Sequence, residues 1–235
     1  MKAPDTGRWH TYTTEALTMI VVLAGQKGGS GKTTTAICVA DEWHRRGYET
    51  LLVDTDPQAT ARTWGDAAAD ADSEAPTVIG MGTDFHNKLP QVAEGYERVV
   101  VDCPPGHSER QRSGLMCADV VVIPCGPGLT DVWSMAETID LANTAQQIRP
   151  SLKTAILITR KDARTVLADQ VRQELDRADL PVLEAELGSR VAYQEMPAAG
   201  KGVTRYKPKS KAAEEVRALV DELESLYATE GQTDG

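Results

Sequence analysis

A glycine-rich run near the start of the chain has the composition of a phosphate-binding loop. The run is Gly25-Gln26-Lys27-Gly28-Gly29-Ser30-Gly31-Lys32-Thr33-Thr34-Thr35. Glycines allow several backbone N–H groups to converge on phosphate oxygens, and a helix that begins near Lys32 adds its positive end. Lys32 is predicted to reach the β and γ phosphates of a nucleotide, and the Thr33 hydroxyl to ligate Mg²⁺. The predicted nucleotide contacts within the loop are Lys27, Gly28, Gly29, Ser30, Gly31, Lys32, Thr33 and Thr34.

Three aspartates follow two strand-like runs further along the chain. The first run leads into Asp54-Thr55-Asp56-Pro57-Gln58, and the second into Asp102-Cys103-Pro104-Pro105-Gly106. An aspartate at a strand end is most often a turn former. In a chain with a phosphate loop, carboxylates at neighbouring strand ends are also what a nucleotide site needs to hold Mg²⁺ and to orient an attacking water. We therefore expect Asp54, Asp56 and Asp102 to belong to one site.

The loop departs from the strict Walker pattern GxxxxGK[ST], because Gln26 stands where that pattern has its first glycine. Its KGGSGKT sequence contains a second lysine, Lys27. Together with the DxDPQ and DxPPG segments, it resembles the deviant Walker ATPases of the ParA/MinD superfamily. In that family the extra lysine crosses a dimer that sandwiches ATP and contacts the phosphates of the partner's nucleotide. The resemblance implies that Lys27 acts on a second subunit, as an arginine finger does. The alternative is a solvated loop lysine.

The resemblance also implies roles for the acidic segments. Asp56 would position the hydrolytic water, Asp54 would support the Mg²⁺ shell, and Asp102 would hold Mg²⁺ through water. Cys103–Gly106 would open the switch loop that senses the γ-phosphate, which adds Pro104 to the nucleotide contacts. The cofactors expected on these grounds are ATP and Mg²⁺. The catalytic residues expected are Lys27, Lys32, Asp54 and Asp56.

The elements that must position these residues alternate between strands and helices. Apolar, β-branched runs predict strands at Ile20–Ala24, Thr50–Val53, Thr77–Ile79, Arg98–Val101, Val120–Ile123, Thr154–Ile158 and Pro181–Glu184. Amphipathic stretches predict helices near 33–46, 84–94, 130–147, 163–178 and 212–227. This alternation is typical of a parallel sheet covered on both faces. We predict one doubly wound α/β domain of the P-loop NTPase class over residues 19–228, with a mostly parallel sheet. An N-terminal extension (1–18) and a C-terminal tail (229–235) flank it.

Two features favour the ParA type over the MinD type. Gln26 precedes the second lysine as in ParA-type partition proteins, whereas MinD-type proteins usually have glycine there. The predicted helix at 212–227 has Asp221, Glu222 and Glu224 on its polar face, where membrane-surface helices favour Lys and Arg. No apolar stretch approaches the roughly 20 residues that span a bilayer. No membrane partner is therefore expected.

The segment from Ser189 to Glu215 resembles the C-terminal region of small ParA proteins of the ParF kind, so the resemblance covers residues 20 to 225. Between Ala199 and Lys211 this segment has five basic residues and no acidic one, although the net charge of the chain is −10. Such cations supply sequence-independent affinity for the DNA backbone, and few aromatics accompany them to stack on bases. A solvated basic loop is the alternative. The predicted DNA contacts are Arg190, Lys201, Arg205, Lys207, Lys209 and Lys211.

These features together suggest a cytoplasmic, nucleoid-associated ATPase for plasmid or chromosome partition. ATP would close a homodimer, the dimer would bind DNA non-specifically, and a ParB-like or cargo-adaptor protein would trigger hydrolysis. One alternative keeps the ATPase but makes a protein assembly the cargo. A less favoured one is a nitrogenase-reductase-like protein, which needs a cluster-binding pair among Cys103, Cys117 and Cys125. The cysteines show no CxxC or Cys/His metal spacing and suit a reducing compartment.

Overall fold

The computed structural model describes residues 18–106, 109–161, 167–175, 177–178 and 180–228, with the backbone alone for 167–170. The predicted C-terminal tail and all but the last residue of the predicted N-terminal extension lie outside this range. The last residue of that extension, Thr18, donates its hydroxyl to the Tyr96 carbonyl oxygen at 2.8 Å. This hydrogen bond holds the chain at the point where it enters the first strand.

Each of the seven predicted strands is present, within a few residues of its expected bounds. They are β1 (Met19–Leu23), β2 (Thr50–Asp54), β3 (Thr77–Gly80), β4 (Arg98–Asp102), β5 (Val120–Cys125), β6 (Lys153–Lys161) and β7 (Val182–Gly188). They form one sheet in the order β3-β2-β4-β1-β5-β6-β7, and every neighbouring pair is parallel. The predicted α/β fold with a parallel sheet is confirmed.

The parallel arrangement brings the predicted site residues to one edge of the sheet. Leu23 at the end of β1 is in register with Asp102 at the end of β4, and Asp102 is in register with Asp54 at the end of β2. The phosphate loop follows β1 directly. The loop and the two acidic segments therefore leave the sheet side by side.

Helices cover both faces of the sheet, as predicted. The helices among the described residues are α1 (Lys32–Arg45), α2 (Thr60–Asp70), α3 (Leu89–Val92), α4 (Glu109–Cys117), α5 (Leu129–Trp133), α6 (Ala136–Ile148), α7 (Leu167–Leu175), α8 (Val191–Glu195), α9 (Val203–Tyr206) and α10 (Lys211–Ala228). Single 3₁₀ turns occupy Phe85–Asn87 and Met196–Ala199. Within the described ranges, no helix is long and apolar enough to cross a membrane.

Alternating side chains of the strands divide the core into two parts. Val21 and Val100 face one side, where they pack with α1 and α10, whereas Val22 and Val101 face the other, towards α4 and α6. All four of these valine side chains are fully buried. This explains the continuous apolar runs in the sequence, because a strand covered on both faces has no solvent side.

Some helix predictions were wrong in extent. The stretch at 84–94 is a 3₁₀ turn followed by the four-residue α3, and the stretch at 130–147 divides into α5 and α6. Four helices were missed, namely α2, α4 and the short α8 and α9. In α2 the buried face consists of Ala61, Trp64 and Ala68, so a helical spacing is present but two of its three positions are alanine. Short, weakly apolar faces give little periodic signal.

Candidate nucleotide site

The phosphate loop is held in a tight turn between β1 and α1. Gly29 has φ of 71° and Gly31 has φ of 95°, in the left-handed region that favours glycine. Gly31 is the N-cap residue of α1. The Thr159 hydroxyl at the end of β6 donates to the Ser30 carbonyl oxygen at 2.8 Å, which fixes the loop from the neighbouring part of the sheet. The backbone N–H groups at the start of α1 are thus placed as an anion site requires.

The two lysines of the loop occupy different environments. Lys32, at the first position of α1, is only 6% exposed, and its ammonium donates to the Lys27 carbonyl oxygen at 3.0 Å. Burial lowers the pKa of Lys32, while the Asp102 carboxylate acts in the opposite direction. The side chain of Lys27 is 41% exposed and is ion-paired with Asp131 on α5. Lys32 therefore faces the interior of the site, and Lys27 lies outside it.

The three predicted aspartates lie together but differ in their contacts. Both oxygens of Asp54 accept backbone N–H groups, from Asp56 at 2.9 Å and from Arg62 at 3.0 Å. Asp54 therefore shapes the turn after β2 and caps the first turn of α2. Asp56 is half-buried and accepts the Gln58 N–H at 2.9 Å, which orients its carboxylate. Asp102 is 1% exposed at the end of β4.

Asp102 is a buried carboxylate that lacks a hydrogen-bond donor. Neither of its oxygens has a partner within 3.5 Å among the described residues. Burial raises its pKa to about 7, against the opposing effects of the Thr33 hydroxyl and the Lys32 ammonium. The hydroxyls of Ser30 and Thr35 are also buried without partners. Such groups are costly to leave unsatisfied, and a divalent cation with its water shell beside Thr33 would satisfy the Asp102 carboxylate.

A cavity of about 410 Å³ opens over the phosphate loop. This volume suits a small-molecule ligand. The cavity is bordered by the loop and the start of α1 on one side and by Asp56, Gln58 and Pro105 on another. Lys32, Thr33 and Thr34 line it, as predicted, whereas Lys27 does not. The residues of this cavity fit a nucleotide with its phosphates at the loop.

The far side of the cavity contains residues that the sequence did not indicate. They come from the ends of β6 and β7 and from α8: Thr159, Arg160, Leu187, Gly188, Ser189, Tyr193 and Gln194. Arg160 has φ of 54°, a left-handed conformation that is rare for arginine and is often found at functional sites. The predicted parallel sheet could have indicated these residues, because it places the ends of β6 and β7 at the same edge as the phosphate loop.

The segment after β4 is joined to the phosphate loop. The Gly106 N–H donates to the Gln26 carbonyl oxygen at 2.9 Å. The Gln111 amide on α4 donates to the carbonyl oxygens of Gly25 and Pro104, both at 3.0 Å. Pro104 is buried, and it is Pro105 that lines the cavity. These hydrogen bonds fix the segment after β4 against the phosphate loop.

The predicted DNA-contacting residues do not form a uniform set. Lys201 and Lys209 are exposed and have no ion pair with the described residues. Lys207 pairs with Glu195 at 2.5 Å, and Lys211 pairs with Glu214 at 3.3 Å.

The two predicted arginines are more constrained. Arg205 is 16% exposed and lies 3.2 Å from the buried Asp41 carboxylate. Arg190 lines the nucleotide cavity and pairs with Glu215 at 2.6 Å. Lys201 and Lys209 are therefore free of such pairs among the described residues. Lys207 and Lys211 pair with exposed carboxylates, whereas both arginines are held by buried or nearly buried ones.

The cysteines are poorly suited to bind a metal cluster. Cys103 and Cys125 are 1% exposed, and burial raises the pKa of both thiols, that of Cys125 to about 12. Burial also raises the pKa of Cys117 to about 12. Because a cluster ligand is a thiolate, these environments disfavour the nitrogenase-reductase-like alternative.

Comparison with known proteins identifies the family of the chain. Residues 21–203 match the family described as the CobQ/CobB/MinD/ParA nucleotide binding domain. The chain is 29% identical to the maintenance of carboxysome distribution protein A of Halothiobacillus neapolitanus, over 86% of this chain and 95% of that protein. It is 30% identical to the chromosome partitioning protein ParA of Myxococcus xanthus, over 87% of each. The septum site-determining protein MinD of Pyrococcus horikoshii, complexed with Mg-ADP, superposes with a TM-score of 0.71 at 18% identity, covering 92% and 100%.

The parallel sheet, the phosphate loop and the acidic strand ends define a P-loop NTPase. The chain belongs to the CobQ/CobB/MinD/ParA nucleotide-binding family, in which the ParA and MinD types are ATPases. The resemblance to ParA-type deviant Walker ATPases is thereby confirmed.

Proposed function

We propose that this chain is an ATPase whose ATP-bound homodimer binds DNA without sequence preference and moves a cargo, with hydrolysis stimulated by a partner protein. The observation that supports this best is the separation of the two loop lysines. Lys32 lines the cavity of its own chain, whereas the exposed Lys27 does not. A lysine that belongs to a phosphate loop and points away from its own nucleotide site is placed to serve a second subunit.

Within one chain, different residues would bind the phosphates, the cation and the attacking water. The N–H groups of the loop and the Lys32 ammonium bind the phosphates, and the Thr33 hydroxyl and Asp102 hold the cation. Mg²⁺ held by these groups would neutralise charge on the phosphates and so favour attack of water on the γ-phosphoryl group. Asp56 borders the same cavity and orients that water through its carboxylate. Asp54 keeps Asp56 in place through its 2.9 Å bond to the Asp56 N–H.

Closure of the dimer provides the link to DNA. The lysines at 201, 207, 209 and 211 offer about two or three phosphate contacts per chain, and the net charge of −10 opposes them. A closed dimer doubles the patch and makes the second contact intramolecular, so affinity rises far more than twofold. ATP thus selects the DNA-binding state because it stabilises only the closed dimer. A protein with this cycle would work in the cytoplasm on the nucleoid.

The test is a mobility shift with unrelated DNA duplexes, with ATP against ADP, across a salt series. Each neutralised phosphate contributes about −0.9 to the slope of log K against log salt, so four to six contacts predict a slope of about −4 to −5. Replacing Lys207, Lys209 and Lys211 by Gln should flatten the slope and leave ATP turnover unchanged. Lys88→Gln, at the start of α3 on the other face of the sheet, is the matched control. Equal binding in both nucleotides, or none in either, would exclude the DNA-carrier function.

A second candidate is an ATPase of the same kind with a protein assembly as cargo. The relative from Halothiobacillus neapolitanus, named for carboxysome distribution, supports it. Both candidates share the ATP-dependent DNA binding and differ only in the adaptor. Fluorescence microscopy in the cell of origin separates the two candidates when Lys32→Ala replaces the wild type. In the first case a plasmid or chromosome locus would lose its regular spacing. In the second case a protein body would lose it.

A further inference from the structure

The basic segment, Ala199–Lys211, lies directly on α1 and α2. A Cβ atom added to Gly200 would come within 2.6 Å of the Ala67 carbonyl oxygen on α2. One added to Gly202 would come within 2.5 Å of the Asp41 carboxylate on α1. The backbone of the segment is therefore pressed against both helices where two glycines permit it.

Arg205 connects α1 with the segment that follows α2 through its guanidinium group. Its Nε atom is 3.2 Å from Asp41 Oδ1, and Asp41 is fully buried. Its Nη1 atom donates to Glu74 Oε2, in the turn after α2, at 3.1 Å. Only 16% of the Arg205 side chain is exposed, whereas Glu74 is 86% exposed. Asp41 is thus the partner that determines the position of Arg205.

This arrangement separates Arg205 from the lysines of the basic segment. To reach a DNA phosphate, Arg205 would have to leave Asp41 as a buried, unpaired charge, which is strongly unfavourable. Lys201 and Lys209 face no such cost, because they are exposed and unpaired among the described residues. The positive charge of Arg205 therefore neutralises Asp41 within the protein and does not contact DNA.

Both helices on which the basic segment lies begin at the nucleotide site. α1 begins at Lys32, and α2 begins four residues after Asp56. We propose that Arg205 is a positioning residue, which through Asp41 holds the basic segment on these two helices so that the nucleotide state sets the position of the DNA-contacting lysines. This inference rests on the proposed function. It assigns Arg205 to the coupling between ATP and DNA and removes it from the DNA contacts.

The first experiment measures DNA affinity and its salt slope for Arg205→Gln, Arg205→Lys and Lys209→Gln. Loss of a phosphate contact in Lys209→Gln should make the slope about 2 units less steep for a dimer. Arg205→Gln should keep the wild-type salt slope but bind DNA about 5- to 20-fold more weakly in the presence of ATP. The ratio of its DNA affinity with ATP to that with ADP should therefore be smaller than in the wild type. Arg205→Lys should recover much of the wild-type affinity, because its ammonium can still pair with Asp41 and the exposed Glu74 contributes little. A flattened slope in Arg205→Gln, or no recovery in Arg205→Lys, would overturn the proposal.

The second experiment needs no DNA. Trypsin cleavage after Lys201 is followed with ATP and with ADP in the wild type, Arg205→Gln, Asp41→Asn and Glu74→Gln. We expect the wild type to be cleaved at different rates in the two nucleotides. The Arg205 and Asp41 variants should be cleaved faster and equally in both, and the exposed Glu74 variant should resemble the wild type. Unchanged nucleotide dependence in Arg205→Gln would contradict the inference. Wild-type protein that shows this dependence but binds no DNA would instead contradict the proposed function.

Discussion

Lys27 of the phosphate loop is ion-paired with Asp131, a residue of the same chain at the start of α5. The carboxylate of Asp131 also accepts the Gly128 N–H at 3.0 Å, and a nitrogen of Arg160 lies 4.0 Å away. Burial raises the pKa of Asp131. The hydrogen bonds from Lys27 and the Gly128 N–H, together with the charges of Lys27 and Arg160, outweigh burial and hold the pKa below its ordinary value. Lys27 therefore has to leave a charged partner before it can reach a second subunit.

Asp131→Asn should ease dimer closure. The asparagine oxygen can still accept the Gly128 N–H, so the start of α5 is preserved while the charge that holds Lys27 is lost. A partly exposed ion pair is worth up to about 1 kcal/mol, and a dimer loses one in each chain, which corresponds to up to about 30-fold in the ATP-dependent dimerisation constant. Analytical ultracentrifugation with a non-hydrolysable ATP analogue measures the change. A weaker dimer would mean that Asp131 supports the closed state rather than the monomer.

Lys27→Gln should block hydrolysis or dimer closure while one chain still binds nucleotide. The reason is that Lys27 does not line the cavity of its own chain. Fluorescent nucleotide titration should show affinity within about threefold of the wild type, since no direct charge contact is lost. Light scattering and phosphate release complete the test. A normal ATP-dependent dimer with normal turnover would reduce Lys27 to a surface lysine.

Lys32→Ala should abolish useful ATP binding. Lys32 is the buried ammonium of the cavity, and no other lysine among the described residues lines it. Losing a charged hydrogen bond to phosphate costs about 1.5–3 kcal/mol, so affinity should fall about 10- to 100-fold or more. The same titration measures it, with Lys27→Gln as the matched loop variant. Wild-type affinity in Lys32→Ala would refute the phosphate-loop assignment.

Asp56→Asn should bind ATP and form dimers that persist. Asparagine keeps the hydrogen bond to the Gln58 N–H but cannot orient water as a carboxylate does. Loss of such a group typically slows turnover by about 100-fold or more. Phosphate release and the lifetime of the dimer are the readouts. Unchanged turnover would remove Asp56 from catalysis, and lost ATP binding in a folded protein would assign it to the nucleotide instead.

Asp41 should make the stability of the protein depend on pH. Burial raises its pKa from 3.8 to about 6, with Arg205, the Gly202 N–H and Arg45 opposing the rise and Glu42 adding to it. The folded protein therefore binds this proton more tightly than the unfolded chain, and the free energy of unfolding declines as pH rises from about 4 through 6.

Asp41→Asn removes this dependence. Relative to that variant, the wild type should lose up to about 3 kcal/mol between pH 4 and pH 7, at about 1.36 kcal/mol per pH unit. Urea titrations of both proteins across this range test the prediction. A constant difference between the two proteins would show that Asp41 is charged throughout.

The sequence determined the strands and the chemistry of the loop. The five central strands contain mostly apolar side chains, and the edge strands β3 and β7 are still short runs rich in Val, Ile and Leu, so all seven were recognisable. The order of residues in a phosphate loop is constrained by contacts within a few positions. Helices were harder to predict. The alanine-rich face of α2 and the break between α5 and α6 depend on how closely neighbouring elements approach, which a hydrophobic pattern does not encode.

The tertiary structure alone decided which charges are free to act. From sequence, Arg205 and Lys209 are equivalent cations in one basic segment. Lys27 is the second lysine of the loop, and the sequence indicates no partner for it within its own chain. In the fold Arg205 faces a buried carboxylate 164 positions earlier in the chain, Lys27 faces Asp131, and Lys209 faces solvent. Arg190 likewise lies at the nucleotide cavity. The physical reason is that the strength of a charge depends on its burial and on partners distant in sequence, and both exist only once the chain has folded.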